Sequence, residues 1–154
     1  MIGIKNQQFG VEIEFTGITR REAAKALADY FQTSPVYVGA GYDTWAVEDS
    51  QGRQWKIMSD SSIRAEWKSG DSYFRTTDRS YQVEFVTPVL RYEDMEIFQG
   101  LYFRLYRTIH KSASVLQKFF CMFQILRCVD TDRFHVTDAY LYFISILQPA
   151  QLFE

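Results

Sequence analysis

The feature that most constrains this chain is a strict alternation of apolar and acidic residues near its start. In Phe9-Gly-Val-Glu-Ile-Glu-Phe15, the apolar residues at positions 11, 13 and 15 alternate with Glu12 and Glu14. A period of two predicts a β-strand with one apolar and one polar face. Tyr81–Thr87 repeats this pattern with Glu84 on the polar side, and Pro88 ends the run. We therefore expect a sheet that is covered on one face only.

The segments between these strands carry helix and hairpin signals. Thr19-Arg-Arg-Glu22 is a capping-box pattern that predicts a helix start, and Ser34-Pro35 predicts its end. A second helix is expected from about Tyr92 onward, with Ile97, Leu101 and Leu105 on its apolar stripe. Two hairpins are predicted, one from Tyr42–Glu48 and Gln54–Asp60, the other from Ile63–Lys68 and Ser72–Thr76. This order predicts an α+β fold with a mostly antiparallel sheet of hairpin-linked strands and flanking helices.

Charge and length exclude several classes of protein. The 154 residues have a net charge of -2, so there is no overall basic field for a nucleic acid or an anionic membrane. No apolar run approaches the roughly 20 residues that span a bilayer, and the N-terminus lacks a signal-peptide core. Two cysteines are too few for a disulfide framework. We expect a cytoplasmic protein without nucleic-acid or membrane partners; the oligomeric state stays open.

The composition changes near residue 100. All 8 glycines lie in residues 1–100, and so do 15 of the 19 acidic residues. The first part has a net charge of -4 and the remainder a net charge of +2, since it holds 6 of the 17 basic residues. We therefore predict two pieces, residues 1–100 and a tail of residues 101–154 that is helical or poorly ordered.

The carboxylates are the chemistry that stands out. Glu12 and Glu14 leave the same face of their strand roughly 7 Å apart at the backbone, Glu84 lies on a second strand, and Asp60 ends a third. If these strands are neighbours, the carboxylates converge, raise one another's pKa and suit a hard cation such as Mg²⁺ or Mn²⁺. The alternative is that they form the solvated face of a sheet covered on one side.

Three blocks of the sequence resemble the amidoligase family. They are Phe9–Phe15, Trp55-Lys-Ile-Met-Ser-Asp-Ser-Ser-Ile63, and Tyr81-Gln-Val-Glu-Phe-Val-Thr-Pro-Val-Leu90. The family belongs to the carboxylate–amine ligases related to glutamine synthetase and glutamate–cysteine ligase. The resemblance covers roughly residues 8 to 100, and it implies the catalytic half-domain of a glutamine synthetase-like fold.

The resemblance also implies a reaction and a site. Such ligases use ATP to phosphorylate a carboxylate, and an amine then attacks the acyl phosphate, with divalent metal at the phosphates. By this match Glu12, Glu14 and Glu84 would be metal ligands. Asp60 would be a catalytic residue that contacts metal or substrate, and Ser61 would support it. The implied cofactors are Mg²⁺ (or Mn²⁺) and ATP, and the implied substrates are a small-molecule or peptide carboxylate and an amine.

The chain departs from the family pattern after the second helix begins. Phe119–Gln124 stands about where the family's Gly-His-x-His strand is expected, but it contains no histidine, and His110 and His135 have no paired spacing. The tail is a translated frame shift, a decayed remnant, or a divergent but genuine C-terminal part. We therefore expect an incomplete ligase. The alternatives are a non-catalytic remnant, or a small α+β interaction module whose exposed aromatic tail docks on a partner, while Trp45, Trp55 and Trp67 build the core.

Overall fold

The computed structural model describes residues 8–110 and 124–126, which form two α-helices and nine β-strands. The elements are β1 (Gln8–Phe15), α1 (Arg20–Phe31), β2 (Val36–Gly39), β3 (Thr44–Glu48), β4 (Gln54–Met58), β5 (Glu66–Ser69), β6 (Ser72–Arg75), β7 (Val83–Val86), β8 (Leu90–Arg91), α2 (Met95–Ile109) and β9 (Gln124–Leu126). Short 3₁₀ turns at Arg79–Tyr81 and Tyr92–Asp94 precede β7 and α2. The predicted α+β class is confirmed.

The main sheet is antiparallel and places β7 in its interior. Seven strands take part: β2, β3, β4, β7 and β1 follow in that order, and β8 and β9 also pair with β1. β5 and β6 form a separate two-stranded hairpin, as the sequence predicts. Glu84 on β7 lies opposite Glu14 on β1 and opposite Met58 on β4. The strand order thus brings the three predicted carboxylate strands side by side.

The core lies between one face of this sheet and the two helices. It includes Val11, Ile13, Trp55 and Phe85, each at most 3% exposed. These residues alternate with polar ones along their strands, so the other face carries Glu12, Glu14 and Glu84. We call that face the acidic face. Its position follows from the period of two that the sequence shows.

The first helix begins as predicted. The Thr19 hydroxyl accepts a hydrogen bond from the Glu22 backbone N–H, and the Thr19 N–H donates to the Glu22 carboxylate. This capping box satisfies donors that the first turn of a helix otherwise leaves without partners. The helix ends at Phe31, and Gln32 takes the left-handed conformation with φ 56°.

The second helix continues past residue 100. Phe98, Leu101, Leu105 and Ile109 are all at most 4% exposed and pack into the core, whereas Ile97 is half-buried. α2 runs across residue 100. The boundary between residues 1–100 and 101–154 stays a prediction. Most of Phe119–Gln124, together with His135, lies outside the described residues.

Two features differ from the sequence analysis. The edge strand β2 was not predicted, because Val36–Gly39 is too short to show a period. Trp67 was expected in the core but is 41% exposed, and its ring stacks on Phe74 with centroids 4.8 Å apart. Trp55 does build the core, and Trp45 is half-buried. Within the described residues, no helix combines the length and the apolar character needed to cross a membrane.

Candidate carboxylate site

Three of the predicted site residues meet on the acidic face. Glu14 and Glu84 are direct cross-strand partners, and Asp60 follows two residues after Met58, the other partner of Glu84. One carboxylate oxygen from each of Glu14, Asp60 and Glu84 lies within 4.8 Å of the other two. All three residues are half-buried. Acidic side chains from two strands and one loop therefore converge on one point.

Glu12 lies beside this group on the same strand. It is half-buried and opposes Val86 rather than another acid. It is not one of the three residues whose oxygens come within 4.8 Å of one another. Its charge nevertheless raises the pKa of both Glu14 and Glu84. Glu12 thus adds to the negative potential of the site from a position at its border.

A tight turn orients Asp60. Its Oδ1 accepts a hydrogen bond from the Ser62 backbone N–H at 2.8 Å, and its carbonyl oxygen accepts one from the Ile63 N–H at 3.3 Å. Such side-chain-to-backbone bonds are typical of turns that begin with aspartate. Ser61 is exposed between these residues. The structure therefore shows the backbone of Ser62, and not the side chain of Ser61, ordering the aspartate.

Burial and mutual repulsion raise the pKa of two of the acids, Glu84 and Glu14. The pKa of Glu84 rises from 4.5 to about 7, mainly because burial disfavours the charged form and then because Glu12, Asp60 and Glu14 are negative. The pKa of Glu14 is also raised, first by burial and then by Asp60 and Glu12. Within residues 8–110, no ion pair involves any of these four acids. No basic side chain in this part of the chain therefore pairs directly with the cluster.

The donor set suits a small hard cation. Mg²⁺ binds oxygen at about 2.1 Å in an octahedron, so two of its ligands lie about 3 to 4 Å apart. The three carboxylate oxygens lie within 4.8 Å of one another, so they would have to close by no more than about 2 Å to reach the separation of neighbouring ligands. Three protein oxygens also leave octahedral positions for water or for substrate phosphates, as is usual for Mg²⁺. The residues present therefore fit the predicted metal.

The strands beneath the cluster are well supported. Val83 and Phe85, which flank Glu84, are 0% exposed, and so is Ile57 on the adjacent strand. The Trp55 and Phe85 rings stack with centroids 5.9 Å apart. Side chains on rigid, packed strands hold their geometry better than side chains on loops. The core therefore fixes the backbone from which Glu14 and Glu84 project.

Three residues that no sequence pattern marks make contacts between segments of the chain that lead to the acids. Arg20 is 5% exposed, and its guanidinium binds Asp43, while Gln82 contacts the loop that follows Asp60. No pattern in the sequence marks these contacts, which join residues 19 to 23 positions apart. An arginine directly after a helix cap is ordinarily exposed, and only the fold shows that this one is not.

Comparison with known families identifies the family of this chain. A family model described as "Putative amidoligase enzyme" matches residues 5–116, which include all four acids. No significant match was found among curated proteins or among solved structures. The matched segment is well over half of the 154 residues. The chain therefore belongs to the family of putative amidoligase enzymes.

Proposed function

We propose that this protein is a cytoplasmic ligase that joins a carboxylate to an amine, with ATP as co-substrate and Mg²⁺ or Mn²⁺ as cofactor. The observation that carries the proposal is the convergence of Glu14, Asp60 and Glu84 on one open face of the sheet. A solvated face needs no such convergence, because like charges destabilise one another when they are close. The family membership supports the proposed reaction class, and the cluster supports this position for the metal site.

The proposed reaction has two steps. The substrate carboxylate attacks the γ-phosphorus of ATP, which forms an acyl phosphate and releases ADP. The amine then attacks the acyl carbon, loses a proton and displaces inorganic phosphate, which leaves the amide. The bound metal would neutralise negative charge on the phosphates during the transfer. The substrates we propose are small-molecule or peptide carboxylates and amines.

The four carboxylates would contribute to metal binding in different ways. Glu14, Asp60 and Glu84 supply the three convergent oxygens, and Glu12 supplies further negative potential. The Ser62 N–H already holds one oxygen of Asp60, so its second oxygen is the better oriented for metal or substrate. Glu84, with a pKa of about 7, must lose its proton before it can bind a cation. Metal affinity should therefore rise as the pH increases through 7.

Calorimetric titration with Mn²⁺ and with Mg²⁺–ATP at pH 8 tests the site. The parent protein should bind both, and the double variant Glu12→Gln/Glu84→Gln should lose most of the affinity. Glu48→Gln is the matched control, because Glu48 is an exposed strand glutamate outside the cluster. No binding by the parent, or equal binding by the double variant, would contradict the proposed site. Release of ADP that requires both a carboxylate and an amine would establish ligation.

A second candidate is a non-catalytic family member that keeps the metal site. It is favoured by the sequence, which contains no Gly-His-x-His block among its 154 residues. Catalysis needs most of the groups that stabilise the transition state, so a partial set should give little activity. Mn²⁺ binding without ATP turnover, over a broad panel of carboxylates and amines, would favour this candidate. ATP turnover that depends on both substrates would exclude it.

A further inference from the structure

Arg20 makes an unusual number of contacts for the first residue of a helix. Its Nε donates to Asp43 Oδ2 at 3.0 Å, and its Nη2 binds the same oxygen. Its Nη1 donates to the carbonyl oxygens of Arg79 and Gln82, the latter at 2.8 Å. The Arg20 side chain is 6% exposed, whereas that of Asp43 is 43% exposed. One buried guanidinium therefore joins three segments of the chain.

Each of these segments leads to one acid of the cluster. Arg20 begins α1, which follows β1 and Glu14 after a short loop. Asp43 follows Tyr42, whose carbonyl oxygen accepts a hydrogen bond at 2.8 Å from the N–H of Ser59, the residue before Asp60. The guanidinium is thus linked to the chain that follows Glu14 and to the residue that precedes Asp60.

The third segment reaches Glu84 and Asp60 together. Gln82 lies two residues before Glu84, and its carbonyl oxygen is held by Arg20. Its side-chain Nε2 donates to the Ile63 carbonyl oxygen at 2.8 Å. The Ile63 N–H in turn closes the turn of Asp60. Gln82 therefore ties the start of β7 to the loop that carries Asp60.

The Asp43 end of this network is held in a strained position. Asp43 has φ 48°, in the left-handed region that non-glycine residues seldom adopt, although aspartate tolerates it better than most. The Tyr37 hydroxyl donates to Asp43 Oδ1 at 2.7 Å, so both carboxylate oxygens have partners. Strain of this kind persists only where surrounding contacts enforce it. Here Arg20 and Tyr37 supply those contacts.

We propose that Arg20 is a positioning residue that holds the Glu14, Asp60 and Glu84 segments together against the repulsion of their carboxylates. This inference rests on the proposed function, because it concerns the same metal site. Arg20 binds two carbonyl oxygens and a carboxylate at once, which requires the planar fork of a guanidinium. Lysine keeps the positive charge but cannot make all of these bonds. The site should therefore lose its geometry in Arg20→Lys while its electrostatic potential stays nearly the same.

The chain offers a matched control in Arg53. Its guanidinium joins Asp49 at 2.8 Å and Asp94 at 2.9 Å, and its side chain is 20% exposed. It precedes β4, whereas Asp60 follows that strand, so the two lie at opposite ends of it. Arg53→Lys should therefore lower stability because it also loses guanidinium hydrogen bonds, but it should not change the carboxylate cluster.

The experiment measures Mn²⁺ affinity by electron paramagnetic resonance at pH 8 and 10 °C, and thermal stability separately. Arg20→Lys should weaken Mn²⁺ binding about tenfold, the lower end of the usual effect of residues that support metal ligands. Asp43→Asn, at a more exposed position, should weaken it in the same direction and keeps the test valid if Arg20→Lys does not fold. Arg53→Lys should lower the melting temperature and leave the Mn²⁺ affinity within twofold of the parent's.

The outcomes separate the two proposals. If the parent binds Mn²⁺ and both Arg20→Lys and Asp43→Asn bind it equally well, the positioning role of Arg20 is wrong and the metal site stands. If Arg53→Lys weakens binding as much as Arg20→Lys, the effect is general destabilisation and the inference is also wrong. If the parent binds no Mn²⁺, the proposed function fails, and the inference fails with it.

Discussion

Replacing Glu84 with glutamine should stabilise the metal-free protein at alkaline pH. The pKa of Glu84 is 4.5 in its ordinary state and about 7 in the fold, because of burial and of its three acidic neighbours. Below pH 4.5 the folded and unfolded states both hold the proton, so the residue adds no penalty. As the pH rises from 4.5 to 7, the unfolded state gives up the proton first, and stability falls. Above pH 7 the whole penalty is present.

The shift sets the size of this effect. A rise from 4.5 to about 7 corresponds to an upper bound of about 3.4 kcal/mol, at 1.36 kcal/mol per pKa unit. Glu84 is only half-buried, so solvent screening reduces this, and we expect a penalty of about 1 to 2 kcal/mol. Glutamine has the same shape and carries no charge at any pH. Glu84→Gln should therefore gain that amount at pH 8 and nothing at pH 4.

Urea unfolding in EDTA, at several pH values between 4 and 8, measures the gain as a difference between variant and parent. The difference removes the contributions of groups that titrate alike in the variant and the parent. Glu48→Gln, the exposed control, should show no such pH-dependent gain. If Glu84→Gln is no more stable than the parent at pH 8, Glu84 does not bear the repulsion that we assign to it.

Three further predictions concern ligands and packing. At pH 8, millimolar Mn²⁺ should raise the melting temperature of the parent more than that of Glu84→Gln, because a ligand stabilises only the state that binds it. Calorimetric scans measure both shifts, and equal shifts would argue against the site. Asp94→Ala should lower the free energy of unfolding by about 2 kcal/mol in urea titrations, because it removes the buried Asp94 carboxylate and leaves the half-buried Arg53 with one of its two ion pairs; a loss under about 0.5 kcal/mol would contradict this. A Cβ at Gly100 would meet the hydroxyl end of Tyr30, an exposed ring that can turn aside at some cost, so Gly100→Ala should stabilise the parent by less than the about 1 kcal/mol that helix propensity gives in a Tyr30→Ala background; an equal gain in both backgrounds would refute the contact.

Local patterns in the sequence predicted the elements well, because each depends on residues close together in the chain. The alternation around Glu12 and Glu14 gave β1 and its buried face, and the Thr19–Glu22 capping box gave the start of α1. The β3–β4 hairpin also follows from local chemistry, since Asp49 Oδ1 accepts the N–H groups of Gln51 and Arg53 within the turn. The short edge strand β2 has too few residues to show a period.

The site depends on contacts between distant residues, and the sequence shows these only indirectly. The pairing of Glu14 with Glu84 joins residues 70 positions apart and requires β7 to lie next to β1. The alternating pattern of a strand does not show which strand lies next to it. The resemblance to the family suggested that Glu14 and Glu84 meet. The contacts of Arg20 with Asp43 and Gln82 have no local signature at all. Stereochemistry thus predicts the strands, and only the assembled sheet shows which carboxylates face one another.

The position of Glu84 in the sheet explains how the fold tolerates the cluster. β7 lies between β4 and β1 and is hydrogen-bonded on both sides, and its inward residues Val83 and Phe85 are fully buried. A strand held in this way cannot move apart to relieve the repulsion between carboxylates. Burial first, and then this repulsion, disfavour the charged form of Glu84 and raise its pKa to about 7. Removal of the Glu84 charge should remove this repulsion. A bound cation should compensate the repulsion and leave the carboxylate charged. Among the acids of the cluster, Glu84 would then cost the fold the most stability and matter most for metal binding. This combination is expected of a functional site and not of a solvated surface.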